Sequence, residues 1–343
     1  MRTAFGQQFD VPTGYLNSAS IGIPPAFAAD EVASSVDRWR SGGSNPPDFD
    51  AAVVTAREGW ARLVGVHPDR VASGAAVSQL VGLVAAGIPD GTRVLVVRGE
   101  FTSATFPFAA QAHRGVTVTE VDPAELVERA PGFDLVSVSA VQSADGAIAD
   151  LDGLRATGTR VLLDVTQAVG WLPVEFGWAD WVVGASYKWV LAPRGAAWLA
   201  VRPEAEDWIR PVAANWYAGQ DPWDTVYGLP LRLADNARAY DLAPVWFTQV
   251  GAAATLPWLV GLDRRAVHDH CVGLADDLRA RLDLPPRGSA IVSLDLPDAA
   301  ERLLGAGVRC SRRAGRARLA FALYNTIEDV DRVIAALRPG RVE

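Results

Sequence analysis

Lys188 is the only lysine in a chain of 343 residues whose lysines and arginines together number 32. A genome rich in G and C explains scarce lysine, but it does not explain why one is kept. The residue stands in Ala185-Ser186-Tyr187-Lys188-Trp189, a setting apolar enough to make a charged amine costly and to lower its pKa. A neutral amine attacks carbonyls, and arginine, which proteins do not deprotonate, cannot take over that role. A solvated surface lysine is the ordinary alternative; in a chain that uses arginine everywhere else, imine chemistry is the better account. Asp164 closes the apolar run Val161-Leu162-Leu163-Asp164, one βαβ step upstream. Alone it reads equally as a helix N-cap. Together, an imine-forming lysine and a carboxylate at one crevice are the two anchors of pyridoxal phosphate chemistry, the carboxylate holding the protonated pyridine nitrogen.

Such a pair must sit on a sheet. Val94–Val97, Val116–Val121, Leu135–Val138, Val161–Asp164, Trp181–Gly184 and Ala196–Val201 read as strands, with helices at Val77–Ala86 and around Ala104–His113. This alternation predicts an α/β fold with a mostly parallel central sheet, which binds ligands at the carboxyl ends of its strands. Residues 211–247 are rich in Trp, Tyr and Pro without periodicity. Helices are expected at Phe247–Leu262 and His268–Leu282. The C-terminal stretch then reads strand (Ile291–Leu296), helix (Ala299–Ala306), strands (Val308–Arg312 and Arg318–Leu323) and helix (Glu328–Leu337, capped by Thr326). The expected organisation is a large unit over 15–250 and a small α+β unit made of 251–343 together with the N-terminal segment 1–14.

The segments Asp164-Val165-Thr166-Gln167-Ala168-Val169-Gly170, Ala179-Asp180 and Ser186-Tyr187-Lys188 resemble the class V aminotransferase family. This is the branch of fold type I pyridoxal phosphate enzymes that also holds cysteine desulfurases and kynureninases. The likeness begins at Tyr15-Leu16-Asn17-Ser18-Ala19-Ser20 and closes at Arg318-Leu319-Ala320-Phe321-Ala322-Leu323-Tyr324-Asn325-Thr326 with Glu328-Asp329. It implies pyridoxal 5'-phosphate as cofactor, with Lys188 as the Schiff-base residue that shuttles the α-proton. Asp164 would then bind the pyridine nitrogen, Gln167 and Ser143 would lie near the ring hydroxyl, and Phe101 would stack on the ring. Ala75 and Ala76, in the turn Ser73–Ser78, would cradle the phosphate with Tyr187, and Arg318 would clamp the substrate α-carboxylate. Asn17 and Trp216 are the remaining substrate-side candidates; Trp216 falls in Asn215-Trp216-Tyr217-Ala218-Gly219, loosely similar to a kynureninase segment. A core position is the ordinary alternative for Phe101, and a surface ion pair for Arg318.

The chain also departs from the family. Ala76 stands where the phosphate turn often carries Thr or Ser, and Tyr187 replaces the histidine of the desulfurase S-x-H-K pattern. Cys310 falls in a predicted strand and Cys271 in a predicted helix, so a desulfurase with a loop-borne persulfide is disfavoured and both cysteines read as small buried residues. The first expectation is an aminotransferase acting on an amino acid. The alternatives are a lyase or hydrolase working at Cβ and a non-catalytic protein on the same fold. The resemblance further implies a homodimer.

A net charge of −8 argues against nucleic acid as a partner, which would call for a basic footprint. Apolar runs such as Leu80–Ile88 are too short to cross a membrane. Two cysteines without ligand spacing suggest neither metal nor disulfide framework and, with no visible secretory signal, a cytoplasmic location.

Overall fold

Runs that are apolar without alternation belong to strands covered on both faces, and in the computed structural model, which describes residues 1–337, they form one seven-stranded sheet. Residues 338–343 of the expected small unit lie outside the described residues. Two short strands, β1 (Arg2–Ala4) and β2 (Gln7–Phe9), make an N-terminal hairpin. The large sheet consists of β3 (Val71–Gly74), β4 (Arg93–Val97), β5 (Thr117–Val121), β6 (Leu135–Ser139), β7 (Arg160–Asp164), β8 (Trp181–Ala185) and β9 (Ala197–Val201). Their spatial order is β3-β9-β8-β7-β6-β4-β5. Every neighbouring pair is parallel except those made by β9, which runs against both β8 and β3. Helices Asp50–Val64 and Val77–Gly87 cover the two faces. The fold is α/β with a large, mostly parallel sheet.

All six strands expected in this region are present, with ends shifted by a residue or two. β3 was not expected; its last two residues, Ser73 and Gly74, fall in the expected turn Ser73–Ser78. The helix expected around Ala104–His113 is broken into short pieces, of which Phe106–Ala109 is the α-helical one. Pro107 has no N–H to continue a ladder from the preceding turn.

A three-stranded antiparallel sheet, β10 (Ile291–Leu294), β11 (Ser311–Arg313) and β12 (Arg316–Ala320), packs with helices Ala299–Gly305 and Ile327–Leu337. Leu278, Leu303, Leu319, Phe321 and Val333 form its core, and Leu16 enters that core from the N-terminal segment. The strand expected to start at Val308 begins only at Ser311. The backbone just before it is engaged elsewhere: Arg309 N–H donates to Gly14 O at 2.7 Å and Arg309 O accepts from Leu16 N–H at 2.9 Å. Thr326 does not cap the last helix. Its hydroxyl is buried without a partner, and the Asp329 carboxylate turns back to accept from Thr326 N–H at 3.0 Å.

Candidate active site

Because β9 alone is reversed, its amino end meets the carboxyl ends of β3, β4, β6, β7 and β8 along one edge of the sheet. A cleft opens there, lined among others by Ala75, Ala76, Phe101, Ser143, Asp164, Gln167, Tyr187, Lys188 and Arg194. The N-terminal segment closes over it at Gly22, whose N–H donates to Tyr187 O at 2.8 Å. A Cβ at Gly22 would fall 2.0 Å from the Lys188 carbonyl oxygen, so only glycine permits this approach.

Asp164 and Lys188 share the cleft without pairing. Asp164 is buried, and one of its oxygens accepts from Thr166 N–H at 2.8 Å. Burial pushes its carboxyl up, opposed by the Thr166 hydrogen bonds and the Lys188 charge. Lys188 as a whole is 6% exposed, and its amine makes no ion pair among the described residues; Nζ lies 5.4 Å from the Phe101 ring centroid and 5.6 Å from that of Tyr187. Burial lowers its pKa to about 8 against the pull of Asp164, and the charges of Arg318, Arg313 and Arg194 add to the fall. A buried amine held between two aromatic faces, near a buried carboxylate, is the electrostatic setting of a carbonyl nucleophile.

Phe101 follows β4 and is 44% exposed, a ring presented to the cleft rather than a core residue. Gln167 lies in the turn after β7. Its Nε2 donates to Ala19 O at 3.0 Å and Ser143 Oγ at 3.1 Å, and its Oε1 accepts from Trp189 Nε1 at 2.8 Å. Ser143 links this turn to Arg318, whose Nη1 donates to the Ser143 hydroxyl at 3.0 Å and also to its carbonyl. The other Arg318 donors reach Ser20 Oγ (Nη2, 2.7 Å) and Ser311 Oγ (Nε, 3.1 Å). This guanidinium is therefore buried among serines, with no carboxylate partner among the described residues. Burial and the nearby Arg313 push it down to about 10, still charged at neutral pH. Asn17 bridges to Ala320 beside it, and its Oδ1 is buried without a partner.

Ala75 and Ala76 enter helix Val77–Gly87, whose first N–H groups have no partner within the helix. Tyr187 flanks this turn, with the Arg194 guanidinium 5.4 Å from its ring centroid. Trp216 is not among the residues that line the cleft. It packs 4.9 Å from Trp223 and 5.2 Å from Tyr217, centroid to centroid, in an aromatic cluster of its own. Asp180, part of the signature segment, sits at the opposite edge of the sheet, accepting from Val161 N–H at 2.9 Å and pairing with Arg160.

Three positioning groups escaped the sequence reading. Glu100 is buried behind Phe101 and accepts from Phe101 N–H, Ser139 N–H, Ser139 Oγ and Gln142 Nε2, at 2.6–2.8 Å. Asp241 pairs with buried Arg57 at 2.6 Å and accepts from Ser73 N–H at 2.7 Å, fixing the strand that ends in the Ala75-Ala76 turn. Asp329 gathers Arg2, Gly14 N–H, Asn325 Nδ2 and Thr326 N–H, fastening the N-terminal segment over the cleft. The visible signal for Glu100 was close to the one that marked Asp164: a carboxylate at the carboxyl end of an apolar strand, three residues past Val97 where Asp164 closes its own.

A reversed strand in a parallel sheet, with a buried amine, a buried carboxylate and a facing aromatic ring at one edge, and a carboxylate-free guanidinium that does not line the cleft but is joined to it through Ser143, defines the setting of a fold type I pyridoxal phosphate enzyme. The free oxygen of Asp164, the amine of Lys188 and the open N–H groups after Ala76 suit the pyridine nitrogen, the aldehyde and the phosphate of that cofactor. Residues 38–295 match the family profile described as aminotransferase class-V. The chain belongs to that family, and it is a pyridoxal-phosphate-dependent enzyme. It is 26% identical over 320 residues, 85% of each chain, to the uncharacterized aminotransferase YcbU of Bacillus subtilis (strain 168). It is 28% identical to the isopenicillin N epimerase of Streptomyces clavuligerus, over 94% of this chain and 93% of that one. Its fold overlays that of a C-DES mutant with glycine covalently linked to the PLP cofactor (TM-score 0.85, 18% identity, 96% of this chain and 97% of that one). The cysteine desulfurase of Thermococcus onnurineus NA1 has the same fold (TM-score 0.81, 18% identity, 94% and 93% covered). Among the described residues no helix is long and apolar enough to cross a membrane.

Proposed function

We propose that the protein is an aminotransferase acting on an α-amino acid, with Lys188 as the residue that joins the cofactor in a Schiff base and moves the α-proton. Pyridoxal phosphate, when bound, supplies the electron sink for charge that develops at Cα. Asp164 is the partner for its pyridine nitrogen, Phe101 the ring that faces it, and Gln167 with Ser143 the polar groups beside it. Arg318 is the guanidinium for the substrate carboxylate, whose two oxygens match its planar fork better than serine hydroxyls do. The observation that carries this reading is Lys188 itself: a buried amine, held near pH 8, without an ion-pair partner, in one cleft with Asp164. Such an amine is partly neutral at working pH and serves as both nucleophile and base.

Neither cysteine suits persulfide chemistry. Cys271 is packed in the main core and Cys310 in the core of the small sheet, and burial pushes both thiols up, the reverse of what a reactive thiolate needs. We further propose a homodimer in the cytoplasm. The segment carrying Tyr227 and Leu229, 88% and 89% exposed, supplies an apolar surface for a subunit contact, and two free thiols suit a reducing compartment.

The test is an amino-acid panel with purified holoprotein. The visible cofactor band should bleach with the amino donor and return with an added keto acid. Pyruvate release without a keto acid would replace this reading by elimination at Cβ. Full turnover by Lys188→Ala would overturn the Schiff-base assignment.

A further inference from the structure

The phosphate end of the cleft is short of charge. The turn that enters helix Val77–Gly87 reads Gly74-Ala75-Ala76-Val77 and offers only backbone N–H groups; the hydroxyls that line the cleft near it, those of Ser78, Ser103 and Tyr187, are neutral. Of the cations lining the cleft, Lys188 is committed to the imine, and Arg194 is the other. A phosphate placed in a cleft that also holds the Asp164 carboxylate needs a fixed positive charge to balance it.

The sheet register puts Arg194 where that charge is needed. β3 ends at Gly74, which stands opposite Ala197, and Ala197 in turn faces Ala185 on β8. Continuing past the sheet edge, the residues before Ala197 lie between the Ala75-Ala76 turn on one side and Ser186-Tyr187 on the other. The loop there is pinned: Ser186 N–H donates to Ala196 O at 3.0 Å, Ala192 N–H to Ser186 O at 3.2 Å, and Ser186 Oγ to Pro193 O at 2.6 Å. Gly195, at φ +119°, makes the bend into β9, and a Cβ there would press on Thr248 at 2.9 Å. Arg194 leaves this rigid loop over the Tyr187 ring. It makes no hydrogen bond and no ion pair among the described residues, whereas Arg160 and Arg202, elsewhere on the same sheet, both have carboxylates.

We infer that Arg194 grips the phosphate of pyridoxal phosphate, supplying the charge that the hydroxyl-free turn Gly74–Val77 lacks. This rests on the cofactor site described above and adds to it a residue that sets affinity for the phosphorylated form. Guanidinium suits the role because its fork matches two phosphate oxygens.

The experiment compares pyridoxal 5'-phosphate with pyridoxal, which lacks the phosphate, by titrating the visible band of wild-type protein, Arg194→Gln and Arg194→Lys. Arg265→Gln, which removes an exposed positive charge from helix Arg264–Arg281, controls for general loss of charge. Losing one charge-assisted bond pair should raise the Kd for pyridoxal 5'-phosphate about 10- to 100-fold in Arg194→Gln, with a smaller rise in Arg194→Lys. The Kd for pyridoxal should stay within about twofold in every variant, which also shows that the site is folded. Inorganic phosphate should compete with the cofactor in wild type and less well in Arg194→Gln. Equal losses for both ligands, or no loss for the phosphorylated one, would overturn the assignment while leaving the cofactor site standing. Wild-type protein that binds neither ligand would overturn the cofactor site itself, and this assignment with it.

Discussion

In the cofactor-free protein the Lys188 amine should titrate more than two pH units below an ordinary lysine, and this is measurable because the chain offers so few amines. Burial brings the group from 10.5 to about 8, with Asp164 pulling the other way. At pH 7.5 an amine with that pKa is about one quarter neutral, against roughly one part in a thousand for an ordinary lysine, a difference of about 240-fold in nucleophile. Trace acetylation across a pH series, read by mass spectrometry, reports two amines only, Lys188 and the α-amine of Met1 as internal reference. Asp164→Asn removes the opposing negative charge and should move the Lys188 midpoint lower still. The same shift has a folding consequence of definite sign. Since the folded state disfavours the protonated amine, Lys188 costs roughly 3 kcal/mol of stability at pH below about 8, and that cost disappears as pH rises to about 10.5. Apo Lys188→Met should therefore exceed wild type in denaturant stability at pH 7 by up to that amount, and the gap should close in alkali. An acetylation midpoint at or above 10, or a Lys188→Met difference that ignores pH, would refute the argument.

Other outcomes follow from the groups that hold the cleft in shape. Gly22→Ala pushes a methyl group into the Lys188 carbonyl; thermal unfolding should show a loss of about 1–3 kcal/mol, and the variant should bind cofactor more weakly. Asp241→Asn strips the buried Arg57 of its counter-charge and should cost about 3–5 kcal/mol by urea titration, with cofactor affinity falling as the ion pair that steadies β3 loosens. Asp329 is held below the ordinary carboxylate range: burial works to raise it, and the bonds from Arg2, Gly14, Asn325 and Thr326 outweigh that. A depressed carboxyl stabilises the fold above its unfolded pKa of about 3.9 and loses that contribution as pH falls through the lower folded value. Asp329→Asn should thus be destabilised throughout neutral pH, and its deficit should narrow below about pH 4.

The chemistry was legible because the background was low. One lysine in the whole chain makes Lys188 conspicuous, and a carboxylate that closes a strand buried on both faces makes Asp164 so. Strands of this kind are readable from their unbroken apolar runs, but their direction is not: Ala197–Val201 would look the same running either way. Direction had a quieter signal. Only the short, aperiodic stretch 186–196 separates β8 from β9, too little for the helical crossover that a parallel neighbour calls for. Without the reversal, Arg194 would lie at the far edge of the sheet, and nothing in the sequence would distinguish it from the other arginines.

The converse holds for Trp216 and for the C-terminal signature. The likeness of Asn215–Gly219 to a kynureninase segment put Trp216 on the substrate side, yet the Trp216, Tyr217 and Trp223 rings meet each other, since large rings satisfy themselves by mutual packing as readily as by facing a ligand. In the signature, only Arg318 had been given a chemical role. Tyr324 meets the Ser18 hydroxyl at 2.6 Å, Asn325 donates to Tyr15 O at 2.9 Å, and Asp329 holds Gly14 and Arg2. These residues fasten the segment that carries Ser20 to Arg318, Ala19 to Gln167 and Gly22 to the Tyr187 carbonyl, next to Lys188. Contacts that span almost the full length of the chain leave no periodic trace in sequence, because each end carries only one half of the bond. A family signature at the C-terminus therefore works on the cleft mainly through the N-terminus, and loosening Asp329 should disturb Lys188 without touching it.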